Sequence, residues 1–231
     1  MTFPPARDLD AVATALATLR ALEAEEGAAL SEAQLLVRSL AALGSVRAAV
    51  EAVALRRIAS LDRACELDPE TSPIRSSGYR DLESLLAELW RTSLPAARQL
   101  CGVARAVAPR HSLHGDELPA EFPELAAALL GTDSDDAGSR DDDRTVDEAG
   151  GEDAALPTRV SVEQAAVIIR ELGKTGPGCS LEQRTYGERV LVDHAPGLTV
   201  EETRRLAIQV RDRLDRTASN PAKRSSDGAG R

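Results

Sequence analysis

The sequence predicts an all-α protein, a multi-helix bundle of about eight helices, and three observations carry that prediction. First, Ser or Thr followed three residues later by Gln or Glu recurs at Ser31–Gln34, Ser161–Gln164, Ser180–Gln183 and Thr199–Glu202. In each pair the hydroxyl takes one backbone N–H left free at a helix start, and the longer side chain reaches back to another. Second, apolar residues recur at intervals of three and four, which gathers them on one helix face; no stretch alternates apolar with polar as a half-buried strand would. Third, Phe, Trp and Tyr make up only 2% of the chain, so the core must be aliphatic side chains on closely packed helices.

In order, the first helix is expected over about Ala6 to Glu26, with Leu9, Val12, Leu16, Leu19 and Leu22 along one side and Gly27 at its end. The Ser31 box opens a long helix to about Leu67, along which Leu36, Leu40, Leu43, Val46, Val50, Val53 and Ile58 keep the three-four rhythm and Gly44 offers a bend. "DPETSPIRSSGY", Asp68 to Tyr79, reads as a loop, and "DLESLLAELW", Asp81 to Trp90, as a short helix with an acidic cap. Ser93 caps "LPAARQLCGVARAVA", with Pro95 in the first turn, where its missing N–H costs little, and Pro109 after the end. "FPELAAALL" is another short helix ending at Gly131. The last three capping boxes open three helices that end at Gly173, at Pro196-Gly197 and near Asp215.

The organisation that follows has an N-terminal helical part over 1–130, a disordered acidic insert over 131–158, a three-helix part of the same domain over 159–216, and a disordered tail over 217–231. The net charge of −10 is concentrated in the insert: from Gly131 to Pro157 ten acidic residues face only Arg140 and Arg144, which leaves the rest of the chain near neutrality. The acidic balance therefore describes one segment and does not argue against nucleic acid for the whole fold. A stretch this polar has almost nothing to bury. Closing the longer loop costs about 1.7 kcal/mol more than a short turn would, so the insert is compatible with an intact fold.

Composition excludes several classes. Cys65, Cys101 and Cys179 are odd in number and widely spaced, with no CxxC, so no disulfide framework is expected. The start "MTFPPARDLD" does not read as a signal peptide, and no apolar run approaches the roughly 20 residues of a membrane span. The sequence therefore predicts a cytoplasmic protein with reduced thiols and no membrane association.

The candidate sites are few. "HSLH", His111 to His114, has ligand-like spacing but lies in a loop without the further ligands a metal needs. "GKT", Gly173 to Thr175, resembles the end of a phosphate-binding loop, but Ile169 stands where that loop needs a glycine and a helix precedes it; it reads as a helix C-cap. Cys101 reads as a small core residue, and His194 as a side chain at the negative end of its helix. No catalytic, cofactor or metal residue is assigned. Six arginines are candidate phosphate contacts: Arg91, Arg98 and Arg105, seven apart along or just before one helix, and Arg204, Arg205 and Arg211 on the last helix. The stretch "RVSVEQAAVIIREL", Arg159 to Leu172, begins as a DNA-reading helix can, yet Gln164 cannot both close the capping box and read a base edge, and Glu163 would repel phosphate. It reads instead as a capped core helix buried through Val162, Ala165, Ala166 and Ile169.

The order "GYRDLESLLAELWRTSLPAARQLCGVARAVA", "FPELAAALL", "VSVEQAAVIIREL", "ERVLVDHAPGLTVEETRRLAIQVRDRLD" resembles the domain of unknown function 222, the N-terminal region of the 13E12 repeat proteins, from about Leu35 to Asp215. The resemblance implies an all-helical domain that is often followed by an HNH nuclease domain. This sequence has no histidine after His194, so nuclease activity is not carried over, and its 27-residue acidic tract departs from the family's short connection. The expectation is a non-catalytic helical domain without cofactor, associated with DNA or with a separately encoded HNH nuclease. The alternatives are a scaffold or homo-oligomer formed through the long helix, and a truncated remnant of an HNH endonuclease.

Overall fold

The computed structural model describes residues 12–14, 16–17, 20–21, 32–68, 72–112, 114–131 and 159–218. Residues 12–14, 16–17 and 20–21, within the proposed first helix, are helical; the rest of that helix, the Ser31 hydroxyl, the acidic insert beyond Gly131 and the tail beyond Ala218 lie outside the described residues.

The protein is all-α. Helix α1 (Glu32–Leu67) is followed by α2 (Pro73–Ser76), α3 (Leu82–Leu89) and α4 (Leu94–Val107). A two-residue hairpin, β1 (Arg110–His111) and β2 (Glu117–Leu118), precedes α5 (Pro123–Leu130). After the insert come α6 (Val162–Leu172), α7 (Leu181–His194), a 3-10 turn (Ala195–Gly197) and α8 (Val200–Ala218). The expected loop from Asp68 to Tyr79 thus contains one turn of helix, started by Pro73. The HSLH segment is part of a hairpin too short to show alternation, with Arg110 opposite Leu118 and His111 opposite Glu117. The last helix runs three residues past Asp215.

The caps sit where the residue types demand. Asp81 accepts from the N–H of Ser84 at 2.8 Å, and Ser93 Oγ from that of Ala96 at 3.3 Å. The boxes at Ser161–Gln164 and Ser180–Gln183 are closed in both directions, as is Thr199–Glu202. Gly131, at φ 78°, ends α5 in a left-handed conformation that costs glycine little.

Helix α6 is central, packed against α4, α7 and α8, while α1 lies on α4 and α5, α3 on α4, and α5 on α7. Because α6 is covered from several sides, its burial is broader than a single stripe: Val167, Ile168 and Leu172 are buried with Val162 and Ala165, whereas Ala166 and Ile169 are half-buried. Gly187 of α7 faces α8, where a Cβ would stand 2.9 Å from Leu214 Cδ1 and 3.1 Å from Val210 Cγ1, so the glycine permits this close approach.

Helix α1 is about 54 Å long at 1.5 Å per residue. Its apolar rhythm divides along its length. Ile58 is buried and Val46 and Val53 are half-buried, but Leu36, Leu40, Leu43 and Val50 are 60%, 67%, 49% and 48% exposed. The residues turned into the body in this half are alanines, Ala42 and Ala49. Farther along, Ala48 and Ala52 share a small crevice with Ala128 and Leu129 of α5. Small side chains let the two helices approach closely, which turns the leucines outward.

Candidate functional site

The six candidate arginines divide by environment. Arg91 follows the C-cap of α3 with φ 52°, the left-handed region usually taken by glycine. Its N–H donates to Glu88 O at 3.3 Å, and that of Thr92 donates to Ala87 O at 3.0 Å, the pair of bonds that closes a Schellman turn. This turn exposes Leu89, Trp90 and Leu94 beside Arg91, and Arg98 is exposed one helix turn farther along α4. Arg105, by contrast, is held by two carboxylates. Its Nε and one terminal nitrogen contact Asp62 at 2.7 and 2.9 Å, and the other terminal nitrogen contacts Glu83 at 2.8 Å, tying α4 to α1 and α3. These hydrogen bonds, that to Asp62 foremost, raise its already high pKa further.

On α8, Arg204 and Arg205 are exposed, and Arg205 lies 3.8 Å from Glu201. Arg211 is mostly covered. It donates to Glu171 Oε2 at 2.6 Å and to Asp212 at 2.8 Å. Glu171, 2% exposed near the end of α6, also takes Lys174 Nζ at 2.7 Å. The Lys174 hydrogen bond is the largest cause holding this carboxyl below its ordinary pKa. A buried carboxylate needs such partners. The Gly173–Thr175 stretch accordingly closes a helix: the Gly173 N–H and Thr175 Oγ1 donate to Ile169 O and Leu172 O.

The start of α6 is occupied from within. Gln164 is 6% exposed. Its Oε1 accepts from the Ser161 N–H at 2.9 Å, while Nε2 donates to Ala195 O at 2.6 Å and Leu198 O at 2.7 Å and lies 3.2 Å from Thr203 Oγ1. One amide therefore closes the capping box and fastens it to the α7–α8 turn. Glu163 contacts Arg47 of α1 at 2.5 Å. Burial opposes ionisation of Glu163, but its backbone hydrogen bond and Arg47 outweigh it and hold the carboxyl below the usual range.

Sequence reasoning missed Glu188. It is 1% exposed on α7, and its Oε1 accepts the Leu125 N–H at 2.8 Å. It supplies a cap for α5, whose N-cap residue, Phe122, has no side-chain acceptor. Burial pushes its carboxyl up to about 7 against the opposing pull of the Leu125 and Glu124 amides. Arg184 stands 4.5 Å from the centre of the Phe122 ring and binds Glu121 at 2.8 Å, and Arg189 binds Glu124 at 2.7 Å. A signal existed: Arg184, Glu188 and Leu191 share one face of α7, placing charges in line with an apolar residue.

A groove of about 730 Å3 lies between α1, α4, the hairpin and α5. Its walls are mostly alanines, leucines and prolines from four separate segments, with Arg56, Arg63, His111 and Glu117 among them, so the sequence did not bring them together. His111 and His114 are exposed on the hairpin. Among the described residues no cluster of three His, Cys, Asp or Glu side chains could hold a metal. Cys101 is fully buried, and burial raises its thiol to about 11, which suits a core side chain. His194 Nδ1 lies 2.8 Å from Val190 O at the end of α7. Among the described residues no helix is long and apolar enough to cross a membrane. In comparisons with known proteins, no family model, no curated protein and no solved structure matches this chain.

Proposed function

We propose that this chain is a non-catalytic helical module of the cytoplasm that associates with a second copy of itself through the N-terminal half of α1. The observation that carries this reading is the orientation of that half: Leu36, Leu40 and Leu43 are exposed while Ala42 and Ala49 face the body, and Val50, 48% exposed, lines an apolar cleft with Val12 and Leu86. Positions 36, 40, 43, 47 and 50 alternate steps of four and three, the spacing of a coiled-coil seam. Arg47 interrupts the seam but is drawn aside by Glu51 at 2.7 Å and by Glu163. Pairing two such faces removes leucine side chains from water, each worth roughly 1.5–3 kcal/mol when fully buried. Light scattering on the eluting protein tests this: a dimer is expected, and a monomer at all concentrations contradicts it.

A second reading is association with DNA, alone or beside a separately encoded HNH nuclease, in keeping with the resemblance to the 222 family. It is favoured by the exposure of Arg91, Arg98, Arg204 and Arg205. Binding to duplex DNA that weakens steeply with salt supports it, and salt-insensitive or absent binding removes it.

A further inference from the structure

We infer that the apolar cleft between α1 and α3 is a docking site for the chain's own N-terminal segment, residues 6–26, which lies antiparallel to α1 and anchors there through Leu9 and Val12. The cleft has a volume of about 420 Å3, and Val50, Val53 and Ile58 of α1 line it with Leu86 of α3 and Trp90 just after that helix. Val12 lines it too, so one residue of the occupant is already in place.

The length of chain fixes the direction. Val12 stands 20 residues before Glu32, the start of α1, and Val50 stands 18 residues after it. At 1.5 Å per helical residue these are arms of about 30 and about 27 Å, and both reach one cleft only if the chain turns back on itself. Gly27 stands where that turn is needed, between helical residues 20–21 and Glu32. Leu9, three residues before Val12, keeps to the same helix face, and in the reversed direction it lies farther along α1. The Arg105 bridge sets Glu83 of α3 beside Asp62 of α1, so the wall that Leu9 meets there is Ile58 and Leu86.

The lining suits this occupant. Apart from Arg57 its residues are apolar, and the segment carries the matching stripe of Leu9, Val12 and Leu16. A helix pairs its own backbone groups, so the cleft need only receive side chains. Of the segment's described residues Val12 is half-buried, whereas Ala13, Thr14, Leu16, Ala17, Arg20 and Ala21 are exposed. The hold is therefore at the Val12 end, and Leu36 and Leu40 of α1 stay uncovered. This docking lies within one chain and does not depend on the dimer.

Trp90 is the only tryptophan of the chain, so its fluorescence reports on the cleft. In the full chain, Leu9→Asp and Val12→Asp are expected to shift its emission to the red and to speed its quenching by acrylamide. Leu9→Ala is expected to do the same more weakly, and it decides if an aspartate variant does not fold. Ala17→Asp puts the same charge at an exposed position of the segment and is expected to change neither reading. Dilution of the wild-type chain is expected to leave Trp90 emission constant, even where light scattering finds a single copy. A single copy with Trp90 still shielded would remove the dimer reading and support this one. Unchanged emission in both Leu9→Asp and Val12→Asp, or an equal shift in Ala17→Asp, would overturn the inference. Exposure of Trp90 on dilution to a single copy would also overturn it, by making the occupant a second copy's segment.

Discussion

Glu188 on α7 accepts the backbone N–H of Leu125 on α5 at 2.8 Å, so a carboxylate 63 residues away caps a helix that lacks a capping side chain of its own. The burial that makes this contact also raises the carboxyl from 4.5 to about 7. Between those values the folded chain holds a proton that the unfolded chain has lost. Stability therefore falls as pH rises from about 4.5 through 7, on the order of 3 kcal/mol in total, and levels off above that. Glu171 is shifted the other way, so its contribution is lost only as pH falls below about 4.5. Urea unfolding at pH 5, 6, 7 and 8 should show the decline, and Glu188→Gln should flatten it. A wild-type chain that gains stability over this range contradicts the assignment.

Gln164 makes four contacts through one buried amide. Gln164→Ala would leave the Ser161 N–H and the Ala195 and Leu198 carbonyls short of partners. A loss of about 2–4 kcal/mol is expected, since each buried group left unpaired costs about 1–3 kcal/mol. Gln164→Glu should lose at least as much, because it sets a carboxylate against carbonyl oxygens. Chemical denaturation measures both, and a change below about 1 kcal/mol in either would show that the amide is not the tie between α6 and the α7–α8 turn.

Arg91 occupies a left-handed position at φ 52°. A side chain there costs about 1 kcal/mol relative to glycine, part of which is offset by the greater freedom of glycine when unfolded. Arg91→Gly is therefore expected to raise the melting temperature by a few degrees. A fall would mean that the Arg91 side chain makes a stabilising contact.

The candidate arginines should separate by stability. Arg211→Ala leaves Glu171 buried with fewer cations, and Arg105→Ala leaves Asp62 and Glu83 facing each other, so losses on the order of 1–3 kcal/mol are expected. Arg204→Ala and Arg205→Ala, on the exposed face of α8, should change stability by less than about 0.5 kcal/mol. If these two variants weaken DNA binding while keeping full stability, the nucleic-acid reading gains; equal destabilisation by all four would erase the division.

Helix boundaries were legible because capping is local: Ser161, Gln164, Ser180, Gln183, Thr199 and Glu202 lie within three residues of the groups they satisfy. The outward turn of Leu36, Leu40 and Leu43 was not, because periodicity says which residues share a face and not which face is covered. That choice depends on α5, whose Ala128 and Leu129 meet Ala48 and Ala52 of α1. Glu188, Arg105 and the groove were hidden for the same reason. Their partners lie tens of residues away, and only the packing of α1, α4, α5 and α7 brings them together. Gln164 was half legible: the capping box was in the sequence, and the bonds to Ala195 and Leu198 were not.

The most direct test of the account is the mass of the protein in solution as a function of concentration, by light scattering, for the wild-type chain, Leu40→Glu/Leu43→Glu, and Leu67→Glu at the other end of α1. Dimers are expected for the wild type and for Leu67→Glu, and a monomer with unchanged helicity for the double variant. A monomeric wild type, or a dimer that survives Leu40→Glu/Leu43→Glu, would contradict association through the outward face of α1.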